Sequence, residues 1–62
     1  MNAIYLQLTN QGWMATYAGP HADRIWQLFG TPTVPTAFTA EANVFEVVAQ
    51  IEASNPGVMV YV

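Results

Sequence analysis

At 62 residues the chain has room for one small domain and not for a second. Its charge is sparse: Arg24 stands alone against Asp23, Glu41, Glu46 and Glu52, so 8% of the residues are charged where a soluble domain averages about 25%. A net charge of −3 without any lysine argues against a nucleic-acid partner, and the absence of cysteine excludes disulfides and thiolate zinc sites.

The same composition bears on stability. A folded chain of 6.8 kDa is expected to expose roughly 4,000 Å² and to bury about 60% of the surface of the extended chain. Apolar burial at about 25 cal/mol per Å² then barely offsets about 1.5 kcal/mol of ordering entropy per residue. Small domains in this position recruit a staple, and with disulfides and zinc excluded the remaining device is association, most simply a two-fold dimer. Met1-Asn2-Ala3-Ile4 has neither the basic region nor the long apolar core of a secretory signal, and no apolar run reaches the ~20 residues of a membrane span. The expectation is a cytoplasmic protein with no membrane partner.

In chain order, Ala3 to Thr9 alternates, with Ile4, Leu6 and Leu8 on one face and Tyr5, Gln7 and Thr9 on the other. Asn10-Gln11-Gly12 supplies turn chemistry and Trp13 to Ala18 alternates again, predicting a β-hairpin. An even-numbered loop sets Trp13, Ala15 and Tyr17 beside the leucines. A three-residue loop with Gly12 in a bulge sets Met14 and Thr16 there instead. The first register is favoured, because Ala15 between two large aromatics leaves room for a helix to cross the sheet.

Gly19-Pro20 ends the second strand and begins a helix, proline being preorganised for the first helical position. Ala22, Ile25, Trp26 and Phe29 follow at i, i+3, i+4 and i+7, with Asp23, Arg24 and Gln27 opposite and Gly30 at the C′ position. Thr31-Pro32-Thr33-Val34-Pro35-Thr36 is excluded from helix by its prolines and reads as a braced loop or an edge segment. Asn43 is a good N-cap with Glu46 placed for a capping box, and Thr39 is the competing start. Val44, Val47, Val48 and Ile51 make an apolar stripe, Asn55-Pro56-Gly57 stops the helix, and Val58 to Val62 reads as a strand. The expected fold is α+β with order β-β-α-loop-α-β: a three-stranded sheet with both short helices on one face, in a single domain over residues 1–62.

Chemistry-bearing residues are few. His21 lies near Asp23 and Arg24, but residues two apart on a helix do not face one another, and these are the polar side chains of a helix start. On that reading His21→Ala changes stability by no more than about 1 kcal/mol. Ser54 falls at a helix end, where a serine satisfies terminal carbonyls. The carboxylates show no metal-ligand spacing and the glycines form no phosphate cradle. No catalytic, cofactor or metal residue is assigned, and the chain is expected not to be an enzyme.

The aromatics are different. Tyr5, Trp13, Tyr17, Trp26, Phe29, Phe38, Phe45 and Tyr61 make up 13% of the chain, more than two short helices can hide. Tyr5 lies opposite the leucine face in either register, and Tyr61 lies opposite Val58, Val60 and Val62. Tyr5 and Tyr61, with Met59 and Gln7, are therefore the candidate interface residues, since interfaces are enriched in such side chains.

Trp26-Gln27-Leu28-Phe29-Gly30-Thr31, Val34-Pro35-Thr36 and the closing Asn55-Pro56-Gly57 together resemble a group of short uncharacterised bacterial proteins of about this length. A hairpin followed by a helix with a Thr-x-Glu start, Thr39-Ala40-Glu41, is also similar to HicB-like antitoxin domains, although the His21 to Phe38 insert is unlike theirs and their acidic glycine-containing loop is missing. Neither resemblance implies a role for any residue. The sequence points to a non-enzymatic interaction module that homo-oligomerises through its sheet. It is also expected to present Thr31 to Thr39 to another protein. The alternative is a small apolar-ligand binder with an aromatic pocket between sheet and helices.

Overall fold

The computed structural model describes all of residues 1–62. β1 (Ala3–Thr9) and β2 (Gly12–Ala18) form the hairpin, followed by α1 (Pro20–Phe29), β3 (Thr33–Pro35), α2 (Val44–Ser54) and β4 (Met59–Tyr61). The sheet order is β3-β2-β1-β4, with β4 parallel to β1 and the other pairings antiparallel. The fold is α+β, but the sheet has four strands where three were expected. The extra one is the proline-bearing edge segment: Pro35 has no N–H, which restricts such a strand to an edge. The last strand is also shorter than its valines suggested, because the Asn55-Pro56-Gly57 turn carries on into Val58, whose N–H bonds Asn55 O.

The hairpin takes the even-numbered register, pairing Ile4 with Tyr17, Leu6 with Ala15 and Leu8 with Trp13. Neither loop residue has a positive φ, so the left-handed step falls on Gly12, at φ +117°. Thr9 braces the turn: its Oγ1 accepts from the Gln11 N–H and donates to Gly12 O.

Ile4, Leu6, Trp13, Ala15 and Val47 form the buried core, with Val44, Val48, Ile51, Val58, Val60, Phe38, Ala42 and Tyr17 packed around it. α2 crosses the aliphatic face, where Ala15 leaves space beside Val47. Its N-terminus is capped by Asn43 Oδ1, which accepts from Phe45 and Glu46 N–H, so Asn43 prevails over Thr39 as the start. The other end is closed by Ser54 Oγ donating to Gln50 O and Asn55 Nδ2 to Ile51 O.

α1 is held more loosely than α2. Gly19 and Gly30 bound it as predicted, yet none of its residues is buried and none joins the core cluster. The pairing explains this. β2 leaves the sheet at Ala18 and β3 re-enters beside it, with Thr33 paired to Thr16 and Tyr17 N–H donating to Pro32 O. A ten-residue helix that must return to its point of departure stays at that end of the sheet, and its stripe is only partly covered: Ala22 and Ile25 are half-buried, whereas Trp26 and Phe29 are exposed.

Candidate interaction surface

Strand alternation and register fix the second face of the sheet. Across it lie Thr33 and Pro35 of β3, Met14, Thr16 and Ala18 of β2, Ala3, Tyr5 and Gln7 of β1, and Met59 and Tyr61 of β4. The core cluster takes its members from the opposite face and from α2. All four sequence candidates, Tyr5, Tyr61, Met59 and Gln7, fall on this second face. Parallel pairing of β1 with β4 sets Tyr5 beside Tyr61, and their rings stack with centroids 5.2 Å apart at 19°. They remain 49% and 43% exposed, and Met59 48%, so the stack is a ridge open to solvent. Beside it, the Thr16 and Thr33 hydroxyls share a hydrogen bond of 2.8 Å.

No aspartate, glutamate, lysine, arginine or histidine lies on this face. Asp23 and Arg24 belong to α1, Glu41 to the turn before α2, and Glu46 and Glu52 to the outer side of α2. Sequence reading missed Met14, Thr16, Thr33 and Pro35, because the second strand's face depended on the hairpin register and the third strand was not assigned. The Thr16–Thr33 pair leaves no signal until β2 and β3 are known to be neighbours.

His21 is a connector. Its backbone N–H donates to Asn2 Oδ1 at 3.0 Å, its Nε2 lies 3.1 Å from Ala3 O, and its ring meets Tyr17 edge-on at 4.9 Å. These contacts tie the start of α1 to the first strand. His21→Ala is therefore expected to lower stability by about 1–2 kcal/mol, a hydrogen bond plus an aromatic edge contact, somewhat above the sequence-based ceiling. Urea denaturation measures this, and an unchanged midpoint would show that the ring does not hold the helix.

Thr31 to Thr39 is likewise built into the fold. Thr36 donates from both its N–H and its Oγ1 to Trp13 O, Phe38 O accepts from Trp13 N–H, and Phe38 packs on the core. Pro35, Ala37 and Thr39 of the segment are exposed. Ile4 and Val47 are fully buried between sheet and α2, and no cavity opens there. No three His, Asp or Glu side chains gather to hold a metal ion, and no buried side-chain polar atom lacks a partner. No helix is long and apolar enough to cross a membrane.

Comparison with protein-family models, curated proteins and solved structures finds no match to this chain.

Proposed function

We propose that the chain is a small non-enzymatic interaction module of the cytoplasm that homo-oligomerises through its sheet. One observation carries the reading: the uncovered face of the sheet is free of charged side chains and bears a solvent-exposed tyrosine stack. Apolar surface of this kind, ringed by polar residues, marks an association site, and aromatic side chains supply most of the binding energy where they are buried.

Sedimentation equilibrium at micromolar concentration is expected to give at least twice the chain mass of 6.8 kDa. Tyr5→Glu is expected to weaken association by about 2 kcal/mol or more, about 30-fold in Kd, because it would bury an unpaired carboxylate in both subunits. Leu6→Glu, on the core face, is expected to unfold the chain instead. A Tyr5→Glu protein that stays fully associated would refute the sheet as the interface.

A further inference from the structure

We draw no further inference here: the strongest candidate, the open sheet face with its Tyr5–Tyr61 ridge and the stretch of β1 edge that β4 leaves unpaired, belongs to the surface already described, and nothing in the structure shows what covers it.

Discussion

Trp13→Ala is expected to leave the chain unfolded at room temperature. Trp13 is 6% exposed within a core of five buried hydrophobic side chains, and no other core residue is as large. Truncating a buried tryptophan costs about 3–5 kcal/mol, against a total stability near the lower end of about 3–9 kcal/mol for a domain of this length. The ring also holds a segment distant in sequence, since its Nε1 donates to Ala42 O at 3.4 Å. The other tryptophan is the control. Trp26 is 52% exposed on α1, and Trp26→Ala is expected to change stability by less than about 1 kcal/mol. Far-UV circular dichroism through a urea titration separates the two. A cooperative transition retained in Trp13→Ala near the wild-type midpoint would contradict the core described above.

Gly12→Ala is the second large effect. Gly12 sits at φ +117°, and a Cβ added there would stand 2.8 Å from Phe38 O, a backbone atom with no side-chain freedom to retreat. Phe38 O is also the acceptor for Trp13 N–H, so the clash strikes the bond that fastens the loop before α2 to the hairpin. Backbone strain and clash together are expected to destabilise by about 3 kcal/mol. Gly30→Ala provides the comparison: it has a positive φ but open space around its Cβ, so strain alone, about 1–2 kcal/mol, is expected. Equal midpoints for the two variants would show that Phe38 yields to the added methyl group.

These contrasts also show what was legible in the residues. Period-two alternation around a turn, the valine stripe of α2 and the glycine and asparagine at the helix ends are local signals, and each element they imply exists. The openness of Tyr5 and Tyr61 followed as well, since alternation alone sets them opposite the aliphatic residues. Long-range decisions were less visible. Thr33–Pro35 becomes a strand because Thr36 and Phe38 are fastened to Trp13, a contact across more than twenty positions. α1 has a good amphipathic stripe, but the pairing of Thr33 with Thr16 brings the chain back to where it left, and periodicity cannot report how little of such a stripe is covered.

The parallel pairing of β1 with β4 has a kinetic consequence. Ala3 and Met59 meet from nearly opposite ends of the sequence, so this ladder closes the largest loop in the molecule, while the hairpin can form within microseconds. A three-residue strand joined last is also the natural first site of opening, with amide exchange there falling well below the global protection. Opening β4 separates Tyr61 from Tyr5 and dismantles the ridge on which association is proposed. If the proposed association forms, fraying and dissociation draw on one equilibrium: association would hold β4 in place and dilution would release it, so the exchange rates of the Met59 to Tyr61 amides are expected to rise as the protein concentration falls.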